Sequence, residues 1–283
     1  MKNISAVIIT KNEEKIIGLC LSRLSFAKEV IVIDSGSEDN TVKTAKKYGA
    51  KVFYKKWQGY AKQKNFGISK AKGEWILSVD ADEIVTKELG AEIVQAVKQS
   101  HLRQGFHLRQ DSSGQAGGQA KDQMRGYYIP VKNNYYGKFL KFGGQYPDYH
   151  LRLFRKGKGK FTETEVHEGI EVKGAKAKLK NPIMHYTCAT VEEHIERINY
   201  YTDLEAEKAI KNRYAPTGYS VIIRPGVIFF KNYFLKLGFL DGMEGLIHHV
   251  ISARYLFIKE AKIMEKKGIN KFRLLQTLFK KLR

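Results

Sequence analysis

At 283 residues the chain can bury a full core, as one large domain or one domain with an appendage. An apolar fraction of 43% fits a mostly globular protein, and a net charge of +21 points to a polyanionic partner such as nucleic acid, an anionic membrane surface or a phosphorylated substrate. The two cysteines, Cys20 and Cys188, lie far apart without metal-ligand spacing and read as free, buried thiols of a reducing compartment. The N-terminal apolar run in "MKNISAVIITKNEE" is too short for a signal peptide. No stretch of about 20 residues is apolar enough to span a bilayer. The nearest, 219–240, is broken by Arg224, Pro225, Lys231 and Lys236. A cytosolic protein, soluble or bound at a surface, is expected.

The first hundred residues alternate. "SAVIIT" (5–10) reads as a buried strand, 13–24 as a helix, and "EVIVIDSG" (29–36) as a second strand ending in a Ser/Gly turn. A short helix (39–49) stopped by Gly49, a strand (51–54), a helix (61–71), a strand (74–82) and a helix (87–100) follow. This spacing predicts βαβ units and a parallel sheet. Residues 103–125 lose periodicity and gather Gly, Gln and Ser, which predicts a mobile loop or insertion. Further strands are expected over 126–131 and 149–156, with short strands near His167 and His185. From about 190 the chain becomes helical and basic, and residues 218–283 hold 13 Lys/Arg against 4 Asp/Glu.

In such a sheet, ligands bind beyond the carboxyl ends of the strands. Three ends here are polar: Thr10 with Lys11, Asn12 and Glu13; Asp34 with Ser35; and Asp80 with Asp82. No G-x-G-x-x-G follows the first strand, so a dinucleotide site is not expected. The strand "WILSV" instead runs into Asp80, Asp82 and Glu83, which repel one another unless something positive lies between them. The bland alternative is a polar loop opening the next helix. A metal on these acids would supply the positive charge and a grip on phosphates.

The motifs "VIITKNEE", "VIVIDSGSEDNT", "QKNFGISKAKGEWILSVDADE" and "YPDYHLRLFRK" together resemble the family 2 glycosyltransferases. "GFLDGMEGLIHHVISARY" is similar to the tail of one subgroup, the bacterial lipopolysaccharide inner-core β-1,4-glucosyltransferases and their relatives. The resemblance implies an α/β protein of GT-A fold, Rossmann-like, with a mostly parallel sheet flanked by helices and a basic helical C-terminal extension. The expected division is a GT-A domain over 1–190 and a helical region over 191–283. The implied reaction is inverting transfer of a sugar, with glucose favoured, from a UDP-sugar to a lipopolysaccharide-core or related surface-glycan acceptor.

What the resemblance implies for single residues is specific. Asp82 contacts a divalent cation, Mg²⁺ or Mn²⁺, and Asp80 faces the ribose and the metal's waters. Asp34 matches the acid that bonds the uracil, its alternative being a turn residue. Thr10 and Glu13 match the lining of the nucleotide pocket, and Lys64 or Lys62 would approach the phosphates or simply be solvated. Asp148 takes the position of the catalytic base, although many relatives have Glu-Asp where this chain has Pro147-Asp148; Glu168 is the reserve. A histidine joining the metal shell is His167 or His185. His248 and His249 read as structural.

The tail carries two candidate apolar faces, Phe230, Tyr233, Phe234 and Leu237, then Leu246, Val250, Ala253 and Phe257. Core packing is the default for either. The surrounding cations and an implied lipid-linked acceptor, the lipopolysaccharide inner core, favour docking on an anionic membrane. The expected location is the cytoplasm, peripherally on the inner face of the cytoplasmic membrane. A nucleic-acid-binding protein is the rival class, but no helix-turn-helix, zinc spacing or RNA-binding signature supports it. A non-catalytic nucleotide-binding relative and a transferase using another UDP-sugar are further alternatives.

Overall fold

The computed structural model describes residues 3–107, 124–162 and 169–268. The chain divides into two compact units, Met1–Val131 with Tyr149–His185, and Lys132–Asp148 with Tyr186–Arg283.

The first unit opens with the expected alternation: β1 (Ile4–Thr10), α1 (Ile17–Ser22), β2 (Glu29–Asp34), α2 (Thr41–Lys47), β3 (Lys51–Tyr54), α3 (Tyr60–Lys70) and β4 (Trp75–Asp80). A short β5 (Glu83–Val85) and the long α4 (Lys87–His107) follow. Strands β3, β2, β1 and β4 lie side by side and parallel, with Thr10 opposite Asp34 and Ile9 opposite Asp80. This register gathers three polar strand ends along one edge, where a parallel sheet binds ligands.

Both faces of β1, β2 and β4 are covered, so these strands are largely apolar rather than alternating, whereas β3 at the sheet edge exposes Lys51 and Tyr54. Ile4, Ala6 and Ile8 of β1 cluster with Val32, Leu77, Ile17, Leu89 and Ile93, which come from β2, β4, α1 and α4. The intervening Val7 and Ile9 cluster with Ile31, Ile33, Ile76 and Ala61 of α3. A Cβ on Gly67 of α3 would lie 2.4 Å from Val7 Cγ1, so glycine is what lets this helix lie so close to the sheet.

The remaining strands are β6 (Gly126–Tyr135), β7 (Lys138–Phe139), β8 (Asp148–Arg155), β9 (Gly159–Thr162), β10 (Gly169–Val172), β11 (Lys176–Lys178) and β12 (Ile183–Cys188). The sheet order is β3-β2-β1-β4-β8-β6-β12-β5, with β8 antiparallel to β4 and β12 antiparallel to β5. β9 and β10 form a separate antiparallel ribbon.

Several boundaries differ from expectation. α1 has six residues rather than twelve, because Asn12 takes a left-handed φ of 56° and the amides of Ile16 and Ile17 close a turn on the Glu13 carbonyl. α4 continues to His107, and residues 108–123 of the expected loop lie outside the described residues.

The second unit is helical as expected, with α5 (Val191–Lys211), α6 (Arg224–Phe230) and α7 (Gly242–Lys266). Thr190 caps α5 by accepting the Glu193 amide, while Glu193 reaches back to the Ala189 amide. The segments Tyr219–Ile223 and Lys231–Leu235 on either side of α6 are wound as π-helix, and Leu237 is left-handed. The first expected apolar face is therefore not the buried side of one regular helix: Phe230, Phe234 and Leu237 are exposed. The second stripe does not form the core either, since Val250 and Phe257 are exposed.

α7 buries His248, His249, Ile251, Glu260 and Ile263 instead. Its polar groups pack on rings and hydroxyls. The His248 ring lies 4.3 Å from that of Tyr135 and stacks on His194 at 5.7 Å, and Glu260 accepts from Tyr214 and Ser220. His249 fills the space above Gly143 and Gly238, where an added Cβ would meet its Nε2 at 2.0 and 2.5 Å. Burial, then the neighbouring His249, pushes His248 down to about 3; burial, then Arg197, pushes His194 down to about 4.

A histidine with a lowered folded value stabilises the fold while neutral, and that contribution is lost as pH falls below the ordinary value of about 6.5. Acidification from pH 7 to pH 5 is expected to cost about 2 kcal/mol for each of the two imidazoles. Urea unfolding followed by tryptophan-independent circular dichroism checks this. The pH dependence should shrink in His248→Phe, and an unchanged slope in that variant would contradict neutral packing.

Candidate functional site

The apolar run of β4 ends at Asp80, and the next two residues, Ala81 and Asp82, turn the chain into β5. β5 pairs with β12 so that Glu83 lies opposite His185. On the other side of β4, the register Leu77–Leu153 sets Arg152 of β8 one position further along. α3 supplies Lys64. Four elements of the first unit thus deliver charged groups to the "DADE" turn.

Lys64 Nζ is 2.8 Å from Asp80 Oδ1, and Arg152 Nη1 and Nη2 are each 3.2 Å from Asp80 Oδ2. The same Nη2 makes a short contact with Glu83 Oε1, while Glu83 Oε2 accepts the Asp80 amide at 2.9 Å. Glu83 has no exposed side-chain surface, Lys64 only 6% and Arg152 13%, whereas Asp80 keeps 29%. Burial opposes ionisation of Asp80, but the Lys64 ammonium and Arg152 guanidinium outweigh it and hold the carboxyl well below its usual range. Glu83 goes the other way: burial, joined by the charge of Asp80, raises it despite Arg152. The Cys20 thiol, buried and facing the same three acids, is pushed far up and stays protonated.

Asp82 and His185, part-exposed like Asp80, complete the cluster, with His185 Nε2 3.2 Å from Asp82 Oδ2. Burial lowers the imidazole's proton affinity, but the hydrogen bond to Asp82 and the three surrounding carboxylates raise it above its ordinary value. An imidazole and a carboxylate sharing one proton present the donor set that a divalent cation takes. Among the described residues no three His, Cys, Asp or Glu side chains gather as a metal group, so a cation here would draw two ligands from the chain and the rest from a bound ligand or water.

The other expected residues fall as follows. Thr10 is buried at the end of β1, and its hydroxyl has no hydrogen-bond partner among the described residues. Glu13 sits in the following turn, its amide bonded to Thr41 Oγ1. Asp34 is buried and holds its own turn, accepting from the Gly36 and Ser37 amides and from Ser37 Oγ. Its geometry is that of the turn residue, the alternative reading of this position. Asp148, the exposed first residue of β8, belongs to the second unit. His167 and Glu168 lie outside the described residues. Lys62 is exposed, whereas Lys64 is buried in the cluster.

Arg152 was not expected in the cluster, and Glu83, expected among its acids, serves as the buried partner of that guanidinium. Their signal is a guanidinium alternating with Leu151 and Leu153 in a strand, and a third acid following the D-x-D with Ile84 and Val85 behind it.

The chain belongs to glycosyl transferase family 2, whose sequence profile matches residues 5–158. Its main sheet is mixed, with a parallel N-terminal half, and is flanked by helices. Among curated relatives, it is 27% identical over 273 residues to the lipopolysaccharide core biosynthesis glycosyltransferase LpsC of Rhizobium meliloti, covering 94% of this chain and 93% of that protein. It is 30% identical over 275 residues to an uncharacterized glycosyltransferase of Rickettsia typhi, covering 94% and 88%. Among solved structures, residues 1–349 of TarS from S. aureus align over 96% of this chain and 93% of that one, at 16% identity and a TM-score of 0.41.

The cluster makes a stability prediction. Arg152→Met leaves Glu83 buried without its cation and should destabilise the protein by about 3–5 kcal/mol. Adding Glu83→Gln should recover part of that loss, a coupling of about 1 kcal/mol or more. Chemical denaturation of the two single variants and the double variant measures it, and strictly additive effects would contradict the clamp.

Proposed function

We propose that the protein is an inverting, metal-dependent glycosyltransferase that moves a sugar, with glucose favoured, from a UDP-sugar to a lipopolysaccharide-core or related surface-glycan acceptor. The observation that carries this reading is the gathering of Asp80, Asp82, Lys64, Arg152 and His185 at the carboxyl end of β4, in a chain of this family. The catalytic domain spans about 1–190, with a helical C-terminal region after it.

Asp82 and His185 would hold Mg²⁺ or Mn²⁺, with His167 as the alternative imidazole. When bound, the cation neutralises the diphosphate leaving group as a Lewis acid. Asp80, fixed by two cations, faces the ribose. Lys64 would turn from Asp80 toward a phosphate. Thr10, Glu13 and Asp34 line the nucleotide pocket, and the unpartnered Thr10 hydroxyl is the group there with hydrogen-bonding capacity to spare. Asp148 takes the proton from the acceptor hydroxyl as that oxygen bonds to the anomeric carbon and the diphosphate departs with the electron pair from the opposite face. Glu168 is the reserve base.

The second unit supports a membrane location for the same reading. Leu235 is 70% exposed and Met243 64%, and Phe230, Phe234, Leu237 and Leu240 are exposed with them, while Arg224, Lys231 and Lys236 lie in the same stretch. No helix among the described residues is long and apolar enough to cross a membrane. A shallow apolar edge with cations, each contributing about 1 kcal/mol near an anionic surface, suits reversible docking on the inner leaflet beside a lipid-linked acceptor.

Asp148→Asn keeps size and polarity but cannot accept a proton, so turnover measured with a panel of UDP-sugars and purified lipopolysaccharide core should fall about 10²-fold or more with donor binding retained. Wild-type turnover in this variant would move the role to Glu168. Sedimentation with vesicles should show binding to phosphatidylglycerol that weakens in high salt and in Phe234→Asp/Leu235→Asp. Equal binding to neutral and anionic vesicles, or no effect of the substitutions, would remove the docking surface.

A further inference from the structure

The hairpin of β6 and β7 in the second unit pairs Asn134 with Phe139 and Tyr135 with Lys138, and the Leu140 amide continues the ladder to the Asn133 carbonyl. One step further, that register sets Lys132 against Lys141. Like charges directly across a hairpin repel and destabilise it. A carboxylate of the same unit, Asp241, offsets this only in part. Asp241 is buried and occupied by backbone, its oxygens accepting the amides of Lys141 and Phe142 at 2.9 and 2.8 Å.

Lys132 is held rather than splayed into water. Its Nζ sits 5.9 Å from the ring centres of both Phe139 and Tyr146, and the edge of Tyr186 packs on Phe139 at 5.5 Å. Burial, then the charge of Lys141, lowers its proton affinity. A part-buried ammonium between two aromatic rings, facing a second ammonium, is a site in want of an anion. Aromatic faces beside a cation also suit the apolar face of a sugar ring.

We propose that Lys132 and Lys141, with Phe139 and Tyr146, form a binding site for an anionic sugar, one bearing a phosphate or a carboxylate. The site rests on the transferase reading in one respect: the anionic sugar is taken as part of the acceptor. An acidic group on the acceptor would neutralise the cross-strand pair and fix the acceptor's register.

Competitive labelling of the full-length protein with an amine-acylating reagent, read at each lysine by mass spectrometry, tests this. Inorganic phosphate, glucose 6-phosphate, glucuronate and glucose are the probes, with sodium chloride matching ionic strength. Acylation of Lys132 and Lys141 should slow by about twofold at half-saturation, while that of Lys43, Lys98 and Lys211 is unchanged. Glucose 6-phosphate should protect at lower concentration than inorganic phosphate, and glucose should not protect. Comparing it with glucuronate tells phosphate from carboxylate as the preferred group. Lys141→Met should weaken protection at Lys132.

Protection equal to that of chloride, or spread evenly over all lysines, would overturn the site. UDP binding measured on the same samples separates the two readings. Intact UDP binding with no protection removes the anionic-sugar site alone, and absent UDP binding with clear protection removes the transferase reading alone.

Discussion

The structure depends on how three carboxylates are kept together at the end of a buried strand. Two unit charges about 4 Å apart interact by roughly 4 kcal/mol at the effective dielectric of a protein surface. Asp80, Asp82 and Glu83 without counter-charge would therefore force the turn open or take up protons. Lys64 and Arg152 prevent this at Asp80, and Arg152 opposes it at Glu83. Each cation comes from an element flanking β4, and Arg152 touches both Asp80 and Glu83, so the strand end, helix α3 and strand β8 are locked to one another. Glu83 then uses its second oxygen to hold the Asp80 amide, which fixes the turn itself.

That lock divides the acids into two kinds. Asp80 and Glu83 are committed to cations of the chain. Asp82 pairs with His185 instead. On the proposed reading, this arrangement would give a nucleotide-sugar enzyme what it requires: carboxylates held at fixed positions before any ligand arrives, with one carboxylate–imidazole pair to take a divalent cation. Preorganised charge of this sort costs no rearrangement when the leaving group develops its negative charge. In the second unit the polar interior of α7 follows a different logic, with neutral imidazoles packed on aromatic rings, and the apolar side chains that would ordinarily be buried left at the surface.

Much of the first unit was legible in the sequence. The continuous apolar runs of β1, β2 and β4, each ending in a polar residue, define a parallel sheet with polar strand ends along one edge, and "DADE" marks the turn where the charges gather. What was not legible depends on pairing between distant strands. β5 has three residues, too few for a periodic signal, yet its pairing with β12 is what brings His185 to Asp82. Arg152 looks like any outward-facing residue of an alternating strand until β8 is placed beside β4. Lys64 reads as one more lysine on a basic helix, and only the approach of α3 over Gly67 turns it inward. The tail misled in the opposite sense, because heptad-like stripes such as Val250 and Phe257 suggested a core that the buried histidines form instead.

The central claim is that this cluster binds a nucleoside diphosphate together with a divalent cation. Calorimetric titration of UDP into the wild-type protein, with and without Mn²⁺, tests it most directly, together with the reverse titration of Mn²⁺ with and without UDP. Linkage requires the two couplings to be equal. The account predicts that each ligand tightens the other by the same factor, about tenfold or more for a coupling of 1.4 kcal/mol. UDP affinity unaffected by Mn²⁺, or no UDP binding under either condition, would contradict it.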